Sequence, residues 1–426
     1  MRSAFSDLVP YNCVQIDATQ RDFFQATQSC FSCNLDRSQI IKGLQQKWTH
    51  TGNQNQVLAL LSVRTGLDLY LSVMQFARGS EIIVSAINIP SVIQILRHHG
   101  LHVVPLDIDI ASMTPKAHLL KSLTSERTVA LLVAEIYGRL FDMTPFIEFA
   151  HDHGLVMIED CAEAFCGFDH IGHPGSDVSF FSFGPIKYCT AFGGAIAKIR
   201  SQDIYQRMKN LYASYPVQSY WAYLKKIIKY YGVHQLTSYP TVVKPTVLLA
   251  RFLGINHQGI VLGMLRGFPG NLVQGIHLQP STPLLATMLH RFHGYSSSFM
   301  QNVNARAEYV TQRLPEGVCC VGEKALVKNH WLFPILVEKP DVFTRFLISR
   351  GVDAYRGATQ LNVVEADAAK GHQVHATEAH FLIEHVVYLP VNGNVPYAEL
   401  DRICQALREA SVNAAQADQV KLLSQL

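Results

Sequence analysis

From residue 204 to residue 295 the sequence contains neither Asp nor Glu. Nine Lys and Arg stand there: Arg207, Lys209, Lys225, Lys226, Lys229, Lys244, Arg251, Arg266 and Arg291. The whole chain has 36 Lys and Arg against 33 Asp and Glu, so setting those nine aside leaves 27 basic against 33 acidic residues, a net −6 elsewhere. The formal charge of +3 therefore hides one strongly basic, aromatic-rich stretch. Its natural partner is anionic: a phosphate-bearing substrate, an acidic protein surface or a membrane face. A solvated basic loop with no partner is the plain alternative. Uninterrupted apolar runs are also missing. "VVKPTVLLARFLGINHQGIVLGML" is broken by Lys244, Pro245, Arg251, Asn256 and His257, which excludes a membrane span and leaves an interfacial, peripheral membrane contact open. Nucleic acid is excluded, because the basic residues come without a recognised binding domain and the total charge is small.

Nine scattered cysteines, an odd number, give no disulfide framework and fit a reducing cytosol. Cys30 and Cys33 form one CxxC with no second pair at zinc spacing. The 19 histidines include no HExxH, and His290 with His293 lacks a third ligand, so no metal is expected. No charged opening followed by an apolar run is visible, and a cytoplasmic location is the expectation. Internal repeats and low-complexity segments are absent.

What the sequence does have is a core: 48% hydrophobic and 16% charged residues over 426 positions, enough for two domains. From residue 57 short apolar runs alternate with amphipathic stretches. "VLALLSV", "EIIVSA", "HVVPLDI", "VALLVAEIYG" and "LVMIED" read as strands; "TGLDLYLSVMQFA", "PSVIQILRHHG", "TPKAHLLKSL" and "MTPFIEFAHDHG" read as helices. That pattern predicts an α/β fold with a mostly parallel sheet and helices on both faces. Ligands gather at the carboxyl ends of such strands. The chain divides into an N-terminal segment (1–50), a large domain (51–203), a basic insertion or linker (204–295) and a smaller C-terminal α+β domain with a solvated tail (296–426).

Lys187 is the one charged residue in "SFFSFGPIKYCTAFGGAI". An amine in apolar surroundings resists holding its proton, which suits an amine nucleophile. A Schiff-base lysine needs a cofactor held by its phosphate and a carboxylate facing the cofactor's ring nitrogen. Asp160, ending "LVMIED", stands at a strand end, where helix caps and turn residues are equally common. Arg64, Thr65 and Gly66 lie between a strand and a helix, where phosphate is bound and where ordinary N-caps also sit.

These stretches resemble the DegT/DnrJ-type nucleotide-sugar aminotransferases, fold-type I pyridoxal-phosphate enzymes. The resemblance is carried by "GLVMIEDCAEAFCG" and "GSDVSFFSFGPIKYCTAFGGAIAKI", which match an acidic strand end, D-x-A-x-A, and F-S-F-x-P-x-K before a glycine pair. It extends more thinly through "YGRLFDM" and "VVYLPVNGNVPYAELDRI". It implies that pyridoxal 5'-phosphate is the cofactor, that Lys187 is the Schiff-base lysine and later the base, and that Asp160 pairs with the ring nitrogen. Glu163 would lie beside the ring, and Ser182 would hold the phosphate with Arg64, Thr65 and Gly66. It also implies a homodimer. Two departures stand out. Ile89 replaces the family's usual stacking aromatic, and the Asn-Tyr-Arg loop motif is missing from "IHLQPSTPLLATML".

The activity so implied is transamination from an amino-acid donor such as glutamate to a keto group on a nucleotide-linked sugar, with Arg356 a further candidate for an anionic group. Two rivals remain: a pyridoxal-phosphate enzyme of another reaction type, and a catalytically silent relative that binds a membrane or anionic surface through residues 204–295.

Overall fold

The structure is a computed structural model that describes residues 8–49, 56–255, 257–265, 272–357, 359–367 and 375–423. Among the described residues the central sheet has seven strands: β1 (Gln56–Leu60), β2 (Glu81–Ser85), β3 (His102–Leu106), β4 (Thr128–Ala134), β5 (Val156–Cys161), β6 (Val178–Ser182) and β7 (Ala195–Ile199). Their order is β1-β7-β6-β5-β4-β2-β3, with every pair parallel except those made by β7. The mostly parallel sheet read from the sequence is the one observed.

Alternate residues of each strand go to opposite layers, as a period of two demands. Ile82, Val84, Leu132 and Ile158 pack with helix α3 (Val63–Met74) and helix α4 (Pro90–His98) on one face. Ile83, Leu131, Val133 and Met157 pack with Phe146 of helix α5 (Thr144–Asp152) on the other. Both faces are covered, which explains why β4 is apolar nearly throughout rather than alternating. The stretch "TPKAHLLKSL" yields only a 3₁₀ turn, Ala117–Leu119, and a short helix, Leu120–Leu123.

Two N-terminal helices, α1 (Gln20–Phe31) and α2 (Arg37–Trp48), precede β1. The described part of residues 204–295, read as an insertion or linker, is helical: α6 (Gln202–Ala213), α7 (Tyr220–Ser238), α8 (Pro240–Phe252, with Pro245 inside it), α9 (His257–Leu265), a short helix Leu272–Ile276, and α10 (Thr282–His293). Arg266 lies outside the described residues, as does the side chain of Arg251. After α11 (Ser297–Thr311) comes a three-stranded antiparallel sheet of β8 (Cys319–Cys320), β9 (Phe333–Leu336) and β10 (Val386–Leu389). Helices α12 (Pro340–Ser349) and α14 (Tyr397–Leu423) pack on it, with α13 (Thr377–His385) between them in sequence. The stretch read as a solvated tail continues as helix to Leu423.

No helix among the described residues is long and apolar enough to cross a membrane.

Candidate active site

Because β1 and the five parallel strands point the same way, their carboxyl ends share one edge. Asp160 ends β5, Ser182 ends β6, Arg64 opens α3 just after β1, and Lys187 lies in the loop joining β6 to β7. The structure thus brings three separate segments of the chain to a single edge, where an open α/β sheet presents its ligand groups.

The Lys187 amine is not isolated in apolar surroundings. Its Nζ donates to Glu163 Oε1 at 3.0 Å, and both side chains are largely buried. The amine also lies 4.2 Å from the ring centroid of Trp331, close enough for a cation–π contact. The other oxygen of Glu163, Oε2, accepts from the Tyr137 backbone N–H at 3.0 Å. Tyr137 adopts a left-handed φ of 57°, and its hydroxyl sits 2.7 Å from that of Tyr388. Glu163 is therefore clamped from one side by the backbone and offers its second oxygen to the amine.

Asp160 is half-buried, and its Oδ1 accepts from the Ala162 amide at 3.0 Å. Burial pushes its carboxyl up to about 6. The Ala162 amide opposes this shift, Glu163 adds to it, and the charges of Lys187 and Arg64 oppose it further. Arg64 donates from Nε to Ser91 Oγ at 2.6 Å; burial lowers its own pKa, and the Asp160 charge works against that.

The expected phosphate trio divides. Arg64 reaches the site side of the helix start. Thr65 is fully buried, its hydroxyl 3.0 Å from that of the cap residue Ser62, while Ser62 accepts from the Thr65 amide. Gly66 is pressed onto the sheet: a Cβ there would come within 2.6 Å of Leu60 and 2.7 Å of Phe180. The Thr65 side chain and the Gly66 α-carbon thus seat the helix on the sheet rather than facing a ligand.

Ile89 caps α4 without a side-chain bond and packs against the layer beneath. "IHLQPSTPLLATML" is tied to its own chain, where Arg37 donates to Pro280 O at 2.8 Å and to Gln279 Oε1 at 3.2 Å. Arg356 is engaged by Asp341 Oδ1 at 2.9 Å and the Glu384 carbonyl at 2.5 Å. Cys30 is buried and Cys33 exposed, both as free thiols.

Sequence reasoning missed Trp331 and Tyr137. Trp331 sits in "HWLFPILV", which reads only as an apolar stretch. A small pocket beside Lys187 is lined by residues from both ends of the chain, among them Asp17, Phe299, His330, Trp331 and Asn392. It also missed a buried group behind β4 and β5: Glu135, Glu159, Cys161 and His170. There His170 Nε2 lies 3.0 Å from Glu135 Oε2, while Glu159 accepts from the hydroxyls of Ser176 and Ser179.

The donor set fits pyridoxal phosphate. A half-buried carboxylate suits a ring nitrogen, a hydroxyl and a guanidinium suit a phosphate, and an amine is held by one carboxylate. Trp331 Nε1 is buried beside that amine with no hydrogen-bond partner, a donor left for a bound group.

Sheet order and the placement of the lysine define the fold as that of the fold-type I pyridoxal-phosphate transferases. Solved structures agree. The aminotransferase TlmJ from Streptoalloteichus hindustanus aligns with a TM-score of 0.68 at 16% identity, covering 95% of this chain and 99% of that one. Helicobacter pylori PseC, an aminotransferase involved in the biosynthesis of pseudoaminic acid, gives 0.66 at 16%, covering 94% and 99%. Residues 38–227, the segment that carries Arg64, Asp160, Glu163, Ser182 and Lys187, match the model of the DegT/DnrJ/EryC1/StrS aminotransferase family, and the resemblance read from the motifs is borne out there. GDP-perosamine synthase of Caulobacter vibrioides is 30% identical over 161 residues, 37% of this chain and 43% of that protein. The UDP-4-amino-4-deoxy-L-arabinose–oxoglutarate aminotransferase of Shewanella sediminis is 27% identical over 164 residues, 38% and 42% of the two. These alignments span less than half the length of the curated relatives.

Proposed function

We propose that the protein is a pyridoxal-phosphate-dependent aminotransferase that moves an amino group from an amino-acid donor, glutamate in the leading reading, to a keto group on a nucleotide-linked sugar. The observation that carries this reading is the Lys187 amine, 3.0 Å from Glu163 Oε1 at the same sheet edge as Asp160. The names of the Caulobacter and Shewanella relatives support the nucleotide-sugar acceptor.

When bound, the cofactor supplies an electron sink that lets a bond at the amino-bearing carbon of the substrate break. Asp160 would face the ring nitrogen and keep its proton in place. Ser182 and Arg64 would hold the phosphate; Thr65 and Gly66 keep a structural share, through the helix start they fix. Lys187 would bind the cofactor's aldehyde and, once displaced by substrate, carry a proton between neighbouring atoms. Glu163, fixed by the Tyr137 amide, aims that amine. The Trp331 ring covers it and excludes water from that side. The same reading places the enzyme in the cytoplasm as a homodimer with its four chain segments divided as above.

The test is an absorption spectrum of the purified protein with added pyridoxal phosphate, before and after borohydride, followed by peptide mass mapping. A visible band and a reduced pyridoxyl group on Lys187, absent in Lys187→Ala, is the expected result, followed by turnover of a nucleotide keto-sugar with glutamate. No band, or label spread over surface lysines, overturns the reading.

A further inference from the structure

The helices of residues 204–295 carry an unusual surface. Among the described residues, nineteen large hydrophobic side chains are exposed, and twelve of them lie between Val217 and Ile260. Such crowding on one stretch, rather than scattered single residues, marks an interaction surface.

Helix α7 shows how it is built. Tyr223, Leu224, Ile227, Tyr230 and Val233 are buried on one side. Trp221, Lys225, Ile228, Gly232 and Leu236, spaced at helical intervals of three and four, are exposed along the other. The exposed stripe is thus apolar and basic at once. Helix α1, packed beside α7, extends it: Phe24 and Phe31 are 66% and 60% exposed, and the Phe31 ring meets that of Trp221 edge-on at 6.4 Å. Helix α8, packed beside α7, ends in Phe252, 81% exposed.

Charge decides what covers it. Lys225, Lys226, Lys229 and Lys244 form no ion pair among the described residues, and residues 204–295 contain no acid to pair with. Lys226 and Lys229 repel each other besides. A second copy docked through a symmetric interface would bring this patch against itself, lysines towards lysines. An anionic plane meets every charge favourably. Trp and Tyr beside lysines, with apolar side chains between them, is the composition of helices that lie in a bilayer interface.

We propose that the exposed face of α1, α7 and α8 docks on the surface of a bilayer rich in anionic phospholipid. Trp221, Ile228 and Phe252 enter the headgroup boundary and Lys225 and Lys229 pair with phosphates. The inference is independent of the chemistry at Lys187.

The experiment is sedimentation of the full-length protein with vesicles of phosphatidylcholine alone and of phosphatidylcholine with phosphatidylglycerol. The expected result is binding to the second only, weakened by salt, with a blue shift of tryptophan fluorescence. Each lysine near such a surface contributes about 1 kcal/mol. The double variant Lys225→Glu/Lys229→Glu should therefore bind at least about tenfold more weakly, and Trp221→Ser/Ile228→Ser should lose the blue shift. All these residues are exposed, and circular dichroism checks that the variants fold. Equal binding to both vesicle types, or none to either, overturns the proposal. So does conversion of an oligomer to a monomer by Trp221→Ser/Ile228→Ser, which would assign the face to a second copy.

Discussion

In the proposed reading Asp160 faces the ring nitrogen of the cofactor. Burial lifts its carboxyl to about 6 against an ordinary 3.8. A raised value means that the protonated form is favoured in the folded protein. Its stability contribution is fully present below about 3.8 and lost as pH rises through about 6. At neutral pH the carboxylate is therefore ionised at a cost that a ring-nitrogen cation would relieve. Cofactor affinity, followed by absorbance titration, is expected to fall as pH drops below about 6, by up to tenfold per unit. Asp160→Asn should weaken binding and flatten the profile. A wild-type affinity unchanged across that range would remove Asp160 from the ring-nitrogen role. A second residue-scale expectation concerns Gly138, which has φ 69° and where a Cβ would lie 2.2 Å from the Asn329 carbonyl oxygen. Gly138→Ala adds a backbone clash to an unfavourable conformation and should cost about 3 kcal/mol in urea denaturation. Because Tyr137 next to it holds Glu163, borohydride labelling of Lys187 should fall in the same variant.

At the scale of elements, the residue just after β4, Glu135, and Glu159 of β5 enter the buried space beside His170. Burial alone would lower the imidazole pKa, but the hydrogen bond and charge of Glu135 outweigh it and raise the value above 6.5. Burial, with Glu135 adding to it, raises Glu159. Both shifts have the same sign, so the stability they confer is present in acid and lost as pH rises. For His170 that loss falls above about 6.5, through its raised value. His170→Gln should destabilise by about 2 kcal/mol near pH 6, the worth of a hydrogen bond to a charged group. It should have little effect near pH 9. Urea midpoints at the two pH values check this, and an equal loss at both would show a packing role alone. Elements were also the scale at which the sequence was easiest to read. Strands buried on both faces, such as β4, announce themselves as apolar runs whatever the topology. The phase of a helix start is harder: each residue turns about 100°, so Thr65 is buried while adjacent Arg64 reaches the site although both sit at the same cap. Helix α7 is hard to read because its exposed stripe also carries Trp221, Ile228 and Leu236, which blunts the contrast that periodicity depends on.

Over the whole molecule, the site is closed by contacts that local pattern cannot reveal. Trp331 meets Lys187 from a stretch far along the chain, and nothing in "HWLFPILV" tells it from core. The N-terminal segment is the second such case. Asp17 accepts from the Cys189 amide in the loop that carries Lys187, and Arg291 donates to the Asp17 carbonyl at 2.6 Å. Arg291 also pairs with Asp22 at 2.7 Å and with the Asp17 carboxylate at 3.3 Å. One of the nine basic residues of the acid-free stretch is thus committed inward, joining α10, the segment around Asp17 and Asp22, and the loop that carries Lys187. Its pairing holds Asp22 below the usual carboxylate range despite burial, whereas burial prevails at Asp17 and raises it. Arg291→Met would keep the apolar stem but leave two buried carboxylates without their cation. Removing one partner of a buried pair costs about 3–5 kcal/mol, so the urea midpoint should fall accordingly. The loss should shrink as pH falls and the carboxylates take up protons. Double substitution, Arg291→Met with Asp22→Asn, should recover part of it, because the uncompensated charge and not the missing guanidinium is what destabilises. If the double variant is no better than the single one, Arg291 acts through its backbone-carbonyl bond to Asp17, and the N-terminal segment is held by that bond rather than by charge.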